Sequence, residues 1–301
     1  FKIMKFYFSD RYNVPLPANH TFPMQKYFLL RKMLLERKIV SESELIESSP
    51  VRADDLVLAH SADYVQSILL GTVSADVMRR IGFPWSEDLV VRALAAAGGT
   101  MSAAQSALED GFSGNLAGGT HHAHRAEGEG YCIFNDFAIA IRHLIQNGKI
   151  ERAAIVDLDV HQGNGNASIL GGRDDIYILS IQGERNFPFR RVDSTVDVDL
   201  PDGTSDFLYL ETLSKFLPAV FEFKPDIVFY QAGVDPLKED RLGRLALSLE
   251  GLIQRDRMVF EQAKSAGVPV CLAIGGGYAL PVELTVTAHA NTFAAARSVF
   301  G

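Results

Sequence analysis

Short apolar segments alternate along this chain with longer segments of helical periodicity, and this alternation restricts the folds that the chain can adopt. The apolar segments predict β-strands at residues 4–8, 55–59, 152–156, 176–181, 195–199, 226–231 and 268–274. The periodic segments predict helices at residues 24–37, 61–70, 86–97, 100–108, 137–146, 205–221, 248–266 and 281–299. Strands that alternate with helices are typical of a mostly parallel sheet covered by helices on both faces. We therefore predict a single-domain α/β protein, residues 1–301, with a three-layer α/β/α architecture.

The strand predicted at 152–156 runs directly into a polar segment that carries candidate metal ligands at alternate positions. Asp157, Asp159 and His161 follow the strand, and Gly163 then allows a tight turn. In an extended chain, side chains two residues apart point to the same side, so Asp159 and His161 can reach one point beyond the strand end. Carboxylate oxygen and imidazole nitrogen together suit zinc or a similar divalent metal. The alternative is a set of solvated polar residues at the mouth of a loop.

Asp235 is a candidate third ligand because it follows another predicted strand. The strand at 226–231 ends, a glycine permits a turn, and the carboxylate stands beside Pro236. Parallel sheets bind their ligands outside the carboxyl ends of the strands, where Asp159 and His161 are also expected. A catalytic zinc site takes three ligands from the protein and leaves one position open for water. The alternative interpretation of Asp235 is a turn-former, which is common for an Asp before Pro.

His121 and His122 are candidates for proton transfer. They form a tandem pair after two glycines, a position that packing alone does not readily explain. Imidazole titrates near neutral pH, which suits a general acid and base. Each ring needs an orienting partner, and Asp157 and Asn164 are available. The neighbouring His124 is expected to be a surface residue.

Tyr278 ends a run of three glycines that follows the strand predicted at 268–274. The glycines allow the chain to approach a substrate closely, and the phenol can donate a hydrogen bond to an oxygen that gains negative charge. The alternative is an ordinary aromatic side chain that covers the end of the sheet. The glycine run is not interpreted as a phosphate loop, because the chain has neither a Walker motif nor a dinucleotide-binding fingerprint.

The composition disfavours several other classes of function. The formal net charge is -8 and no basic run exceeds two residues, so a nucleic-acid-binding surface is not expected. No apolar run approaches the roughly 18 residues of a membrane-spanning helix. The two cysteines, Cys132 and Cys271, form no Cys-x-x-Cys pair and are interpreted as buried small apolar residues. This pattern fits a reducing, cytoplasmic setting, and the negative charge does not exclude a basic peptide as substrate.

Five segments together resemble the zinc-dependent histone deacetylase family, whose members have the arginase–deacetylase fold. In chain order they are GGTHH at 118–122, GYCIFND at 130–136, DLDVHQGNG at 157–165, QAGVD at 231–235 and GGGY at 275–278. The segments occur in the order of the family, and the resemblance covers nearly the whole chain. The HQGNG segment, the PLP loop at 15–17 and the compact length are most similar to the class IV branch and its bacterial relatives.

The resemblance implies a role for each matching position. The implied zinc ligands are Asp159, His161 and Asp235. The implied catalytic residues are His121 and His122, their partners Asp157 and Asn164, and Tyr278. The implied walls and floor of a tunnel for an acyl-lysine side chain are Gly130, Tyr131, Phe187, Leu242 and Gly276. A structural potassium ion is implied at Asp157 and Ser180, with the backbone carbonyls of Asp159, His161 and Ile181.

The function that the resemblance implies is a zinc-dependent amidohydrolase that removes an acyl group, acetyl or longer, from the ε-amine of lysine in proteins. No oligomeric state is predicted. A deacetylase of acetylpolyamines or other small N-acyl amines is the alternative on the same fold. A ureohydrolase with two manganese ions would need further Asp ligands, which the motifs lack. A catalytically inactive binding module is the alternative from another class, and the filled catalytic positions argue against it.

Many relatives have an Asp where this chain has Asn164, and this difference predicts a split between the two histidines. A nearby carboxylate favours imidazolium and raises the pKa of a histidine, whereas a neutral amide does not. We therefore predict that His122, beside Asn164, stays neutral to lower pH and is the better general base. His121, beside Asp157, should carry positive charge more readily.

Overall fold

The computed structural model describes residues 3–301, which form ten α-helices and eight β-strands. The strands are β1 (Lys5–Phe8), β2 (Leu45–Glu47), β3 (Phe112–Asn115), β4 (Ala153–Asp157), β5 (Ile176–Gly183), β6 (Val196–Leu200), β7 (Ile227–Gln231) and β8 (Val270–Ala273). The helices are α1 (Lys26–Glu36), α2 (Ala53–Ala59), α3 (Ala62–Leu70), α4 (Ala75–Ile81), α5 (Glu87–Asp110), α6 (Asp136–Gln146), α7 (Asn164–Leu170), α8 (Asp206–Glu222), α9 (Leu249–Ala266) and α10 (Val282–Phe300). Within this range, no helix combines the length and apolar character that a membrane crossing requires.

The strands form one sheet in the order β2-β1-β3-β8-β7-β4-β5-β6, and each neighbouring pair is parallel. Every residue of β3, β4, β7 and β8 is buried, as expected for central strands covered on both faces. The edge strand β6 instead alternates, and it exposes Asp197 and Asp199 to solvent. The predicted three-layer α/β/α fold with a mostly parallel sheet is confirmed.

The register of the sheet places three loops side by side. Asp157 at the end of β4 is paired with Gln231 at the end of β7, and Gln231 is paired with Ala273 at the end of β8. Because parallel strands point the same way, the loops that follow β4, β7 and β8 start at the same edge. These loops carry the residues that the sequence predicts to be metal ligands, and the turn of three glycines and Tyr278.

The strand predicted at 55–59 is wrong, because these residues belong to α2. Asp55, Leu56 and Ala59 are buried whereas Val57 is 40% exposed, and this spacing is helical. The acidic residues in the first turn also favour a helix start through the helix dipole. Five residues with one apolar cluster fit both patterns, and packing decides between them.

The helices predicted at 86–97 and 100–108 are one continuous helix, α5. Gly98 and Gly99 do not end it, because both are needed for close approach to neighbouring segments. A Cβ built on Gly98 would lie only 1.9 Å from the carbonyl oxygen of Ser49. The glycines therefore serve tertiary packing and not helix termination.

Four short elements, β2, β3, α4 and α7, lie outside the predicted set. The helix α7 matters for the site, because it begins at Asn164, where the sequence predicts a turn. A Cβ on Gly165, inside α7, would lie 2.5 Å from the carbonyl oxygen of His121. The first turn of α7 therefore packs directly against the histidine pair.

Candidate active site

The structure brings Asp159, His161 and Asp235 together beyond the ends of β4 and β7. One potential ligand atom from each residue lies within 4.8 Å of the other two, and all three residues are buried. The Nδ1 atom of His161 lies 2.9 Å from Asp159 Oδ1 and 3.1 Å from Asp235 Oδ2. Two buried carboxylates at this separation are stabilised by a positive charge between them. A divalent cation bound by two carboxylates and one imidazole supplies that charge.

The electrostatics of the cluster indicate the same need for a cation. Burial raises the pKa of Asp235 and the charge of Asp159 raises it further, to about 7. Burial lowers the pKa of His161, but its hydrogen bonds to the two carboxylates outweigh burial and raise that pKa to about 10. A proton on His161 thus lies where a metal ion would bind. The donor set therefore fits a divalent metal.

Backbone amides fix both carboxylates and cross-link the loops. Asp159 Oδ2 accepts a hydrogen bond from the amide of Gly276 at 2.8 Å, and Asp235 Oδ1 accepts one from the amide of Val160 at 2.9 Å. A Cβ on Gly276 would lie 2.0 Å from Asp235 Oδ2. The turn after β8 can therefore reach the cluster only with glycine at this position.

Arg255 of α9 lies beneath the cluster and was not predicted as a site residue. Its guanidinium is fully buried, and Nη1 donates to the carbonyl oxygens of Leu158 at 3.1 Å and Gly233 at 2.6 Å. These carbonyls precede the candidate ligands Asp159 and Asp235 in the two loops. The Nε atom donates to Asp256 at 2.9 Å, which neutralises the buried charge. The only signal in the sequence is a charged pair on the apolar stripe of a predicted helix.

His121 lies against Asp157, as predicted, with Nδ1 2.7 Å from Asp157 Oδ2. Its Nε2 atom lies 3.9 Å from Asp159 Oδ1. Burial lowers the pKa of His121, but the charges of Asp157 and Asp159 outweigh burial and raise it to about 9. The two carboxylates therefore favour the protonated form of His121.

His122 lies against Asn164, with Nδ1 2.8 Å from Asn164 Oδ1. Burial lowers the pKa of His122 well below its ordinary value, and the charges on His121 and His161 lower it further. The environments of the two rings thus give the order of pKa values predicted from the sequence. His122 is the neutral member of the pair.

The expectation that His124 is a surface residue is wrong. Its side chain is only 20% exposed, and its ring bonds Ser168 Oγ at 2.7 Å and Glu129 Oε1 at 3.2 Å. Glu129 also accepts a hydrogen bond from Asn164 Nδ2. The helix α7 brings these groups together, and that helix was not predicted. His124 and Glu129 therefore support the partner of His122.

Tyr278 lies at the edge of the cluster and is buried. Its amide donates to Asp240 Oδ2 at 2.6 Å, and its carbonyl accepts from Arg241 Nε at 2.9 Å. Burial raises the pKa of Tyr278 well above its ordinary value, so the phenol keeps its proton and can donate a hydrogen bond. Asp240 was missed in the sequence, because its partners are backbone amides that only the fold brings near.

A cavity of about 470 Å³ reaches these residues from the surface. The site residues that line it are His121, His122, Asp159, His161 and Tyr278. The predicted tunnel residues that line it are Gly130, Tyr131, Phe187, Leu242 and Gly276. The ring of Phe187 lies edge-on to His122 with centroids 4.9 Å apart. Phe22, Tyr27 and Arg92 also line the cavity, and sequence motifs gave no signal for them.

The residues expected at a potassium ion are also neighbours. Asp157 and Ser180 are register partners on β4 and β5, and both are buried. Ile181 is the next residue of β5 and is also buried. The Ser180 hydroxyl donates to Gln182 Oε1 at 2.6 Å, which leaves its lone pairs for a cation. The role of these residues stays a prediction.

Comparison with known proteins gives similarities across nearly the whole chain. A model of the histone deacetylase domain matches residues 20–293. A protein of uncharacterised function from Picosynechococcus sp. is 43% identical over 290 residues, which are 96% of this chain and 97% of that protein. Histone deacetylase 2 of Arabidopsis thaliana is 34% identical over 236 residues, 74% of this chain and 60% of the relative. The crystal structure of an HDAC homologue from Aquifex aeolicus has a TM-score of 0.83 and 26% identity, covering 99% of this chain and 84% of the other.

Proposed function

This chain belongs to the histone deacetylase family and has its arginase–deacetylase fold, and from that premise we propose that it is a zinc-dependent hydrolase of N-acylated lysine side chains in proteins. Family membership by itself supports a deacetylase. The observation that carries the finer proposal is the buried cluster of Asp159, His161 and Asp235 at a cavity that the histidine pair and Tyr278 also line. We further propose that residues 1–301 act as one catalytic domain, which the single sheet supports.

Asp159, His161 and Asp235 would hold the metal, which when bound lowers the pKa of water and polarises the amide oxygen. His122 is neutral in its buried position, so its free ring nitrogen can accept a proton from the attacking water. The same proton then passes to the nitrogen of the leaving amine as the carbon–nitrogen bond breaks. Imidazolium at His121 and the hydroxyl of Tyr278 stabilise the carbonyl oxygen as it gains negative charge.

The lining of the cavity supports an extended alkyl chain as the group that enters. Tyr131, Phe187 and Leu242 present apolar surface, and Gly130 leaves room because a Cβ there would lie 2.6 Å from His122 Cδ2. Such walls exclude water from a lysine stem while the polar groups stay at the closed end. We also propose a structural potassium ion near Asp157 and a cytoplasmic setting, which the buried free cysteines support.

An acetylpolyamine is the second candidate substrate, because it also combines an alkyl chain with an N-acyl group. It carries further positive charges, and the five arginines that line the cavity disfavour it. A catalytically inactive binding module is disfavoured by the complete set of proton donors and acceptors around the cluster.

The test is hydrolysis of a fluorogenic acetyl-lysine peptide and of N-acetylated polyamines by the purified protein, with its zinc content measured in the same sample. We expect zinc to be present and the peptide to be hydrolysed with the higher kcat/KM. A longer-acyl series on the same peptide then gives the preferred chain length. Polyamine hydrolysis without peptide hydrolysis would support the second candidate, and hydrolysis of neither would contradict both.

A further inference from the structure

Arginine side chains are concentrated at the mouth of the cavity although the chain has a formal net charge of -8. Among the described residues that line the cavity, Asp159 at the closed end is the one acidic residue. Four arginines with exposed side chains line the opposite end, and they are Arg79, Arg80, Arg185 and Arg244. They come from α4 and from the loops after β5 and β7, so three separate segments contribute guanidinium groups to the lining.

Three carboxylates outside the cavity lining pair with these arginines: Asp76 with Arg79, Glu127 with Arg80, and Asp202 with both Arg185 and Arg244. Asp202 lies 3.4 Å from Arg244 and 3.9 Å from Arg185, so one carboxylate serves two guanidinium groups. Exposed ion pairs of this kind are weak and exchange readily with other partners. The guanidinium groups are therefore available to a ligand at the opening.

We propose that the mouth selects acyl-lysine residues that have Asp or Glu beside them in the peptide. The inference rests on the proposed function, because the lysine stem must occupy the cavity to bring flanking residues to the arginines. Guanidinium groups bind carboxylates with two parallel hydrogen bonds. An Asp or Glu beside the acyl-lysine would therefore gain both charge attraction and a pair of aligned hydrogen bonds. Phe189, which is 89% exposed and edge-on to Phe187 at 6.2 Å, offers the flank an apolar contact. A Lys or Arg beside the acyl-lysine would instead be repelled by the arginines at the mouth.

The test uses three acetyl-lysine peptides of equal length whose flanking residues are Asp, Ser or Lys. We expect kcat/KM to fall in that order, with a ratio between the acidic and basic peptides on the order of tenfold at low ionic strength. High salt should reduce the ratio. The double variant Arg185→Gln/Arg244→Gln should lower the ratio, whereas Arg257→Gln, an exposed arginine of α9 outside the lining, should leave it unchanged.

Equal kcat/KM for the three peptides, or the same ratio in the double variant as in the wild type, would overturn the proposed selection of acidic neighbours. Neither result would affect the proposed function. Failure to hydrolyse any of the three would overturn the proposed function and this inference with it. The two failures are therefore distinguishable in one set of measurements.

A second inference comes from the orientation of the Asn164 amide. Its Nδ2 faces three groups: Glu129 Oε1 and the carbonyl oxygen of Arg190, which only accept hydrogen bonds, and His124 Nε2. The Arg190 contact measures 3.4 Å and the His124 contact 3.2 Å. Burial raises the pKa of Glu129, but hydrogen bonds from His124 and Asn164 lower it below its ordinary value, so it is ionised. The amide nitrogen must therefore point to Glu129, and the amide oxygen to His122.

The orientation of the amide decides which nitrogen of His122 carries the proton. An amide oxygen only accepts, so His122 Nδ1 must donate across the 2.8 Å contact. In the neutral ring, Nε2 then has the lone pair and is free to act as base. If the amide turned over, its NH2 group would face Nδ1, and the proton would move to Nε2.

We infer that Glu129 is a positioning residue that acts on His122 through Asn164, and that this inference rests on the proposed role of His122. Its carboxylate comes from the loop before Gly130, not from the segment that supplies Asn164. The side chain of Asn164 therefore separates this carboxylate from His122, whereas an aspartate at position 164 would contact the ring directly. Glu129 fixes the tautomer without placing a negative charge directly on the base.

The test compares Glu129→Gln with the double variant Glu129→Gln/Asn164→Asp. A glutamine amide can accept or donate, so Glu129→Gln frees the Asn164 amide to turn over. We expect kcat to fall on the order of tenfold or more, with the roughly 10²–10⁴-fold that a general base supplies as the upper limit. In the double variant the aspartate accepts from Nδ1 in either orientation, so kcat on the alkaline plateau should recover. Glu261→Gln, an exposed residue outside the cavity lining, is the control of equal charge.

The tautomer itself is read without substrate, by long-range 1H–15N spectra of protein labelled at histidine. The His122 signals, identified by their loss in His122→Gln, should show Nδ1–H in the wild type and a shift towards Nε2–H in Glu129→Gln. An Nε2–H ring in the wild type would overturn the inference even if no variant folds. An unchanged tautomer in Glu129→Gln, or a loss of kcat that Asn164→Asp does not recover, would overturn it as well.

Discussion

The floor and the mouth of the cavity are built in opposite ways. At the floor, Asp159, Asp235 and Arg255 are buried, and each is bonded to the backbone of another segment. At the mouth, arginines such as Arg185 and Arg244 are exposed and share a single carboxylate. A buried group has no water to replace a lost partner, whereas an exposed one has. Substitutions at the floor should therefore change stability, metal binding or kcat strongly. Substitutions at the mouth should change the preference among substrates to a smaller extent.

The largest effect is expected at the floor, from Arg255→Met. Removing the guanidinium leaves Asp256 buried without its cation and releases the carbonyls of Leu158 and Gly233. Breaking a buried pair in this way costs about 3–5 kcal/mol of stability. Zinc affinity should fall as well, because both ligand loops lose their common support. Urea unfolding and competitive zinc titration measure the two effects.

The matched control for this prediction is Arg257→Met, two residues away on the exposed side of α9. Its ion pair with Glu261 is exposed, so the free energy of unfolding should change by no more than about 0.5 kcal/mol. Equal losses in the two variants would remove the contrast between buried and exposed arginines.

The next effect in size is expected from Tyr278→Phe. The substitution removes one hydrogen-bond donor and keeps the buried ring, so kcat should fall by about 10²–10³, the usual scale for one such donor. KM for an acetyl-lysine peptide should change much less, since the donor acts on charge that develops during the reaction. A variant with wild-type kcat would reduce Tyr278 to a packing residue.

The pH profile gives a smaller and directional effect. Asn164→Asp should raise the pKa of His122, because a carboxylate favours imidazolium. A base must be deprotonated to act, so the acidic limb of kcat/KM should move to higher pH. Glu129 complicates the single variant, because the new carboxylate would touch it and share a proton. Glu129→Gln/Asn164→Asp therefore gives the cleaner shift, and a limb that stays or moves down would contradict it.

The smallest effect is expected in the wall between floor and mouth. Phe187→Ala removes an apolar surface beside His122 and should lower kcat/KM for acyl-lysine peptides by about 10-fold, as for the loss of apolar contact in a binding pocket. Stability should change little, because Phe187 is part of a surface loop and is only partly buried. An unchanged kcat/KM for several peptides would place the substrate elsewhere.

The same contrast explains how much the sequence could predict. Asp159, His161 and Asp235 follow strongly apolar strands, and parallel topology then places them at one edge, so pattern and physics suffice. Arg255 and Glu129 are hydrogen-bonded to backbone carbonyls and to a side-chain amide that belong to other segments. No local pattern marks such contacts, because they depend on how α7 and α9 pack against the loops.

The errors in secondary structure have a similar cause. Residues 55–59 satisfy a strand pattern and a helix pattern equally well over so short a length, and burial against the neighbouring helices selects the helix. Gly98 and Gly99 read as a helix end but serve close approach to Ser49 and its neighbours. The information that decides these cases is tertiary.

We propose that three buried residues from two loops hold one zinc ion that the hydrolysis requires. The most direct measurement is the zinc content of purified Asp235→Ala beside its activity on an acetyl-lysine peptide and its unfolding transition. We expect zinc and activity to be lost together while the protein still unfolds cooperatively. Full zinc occupancy with wild-type activity in Asp235→Ala would contradict it.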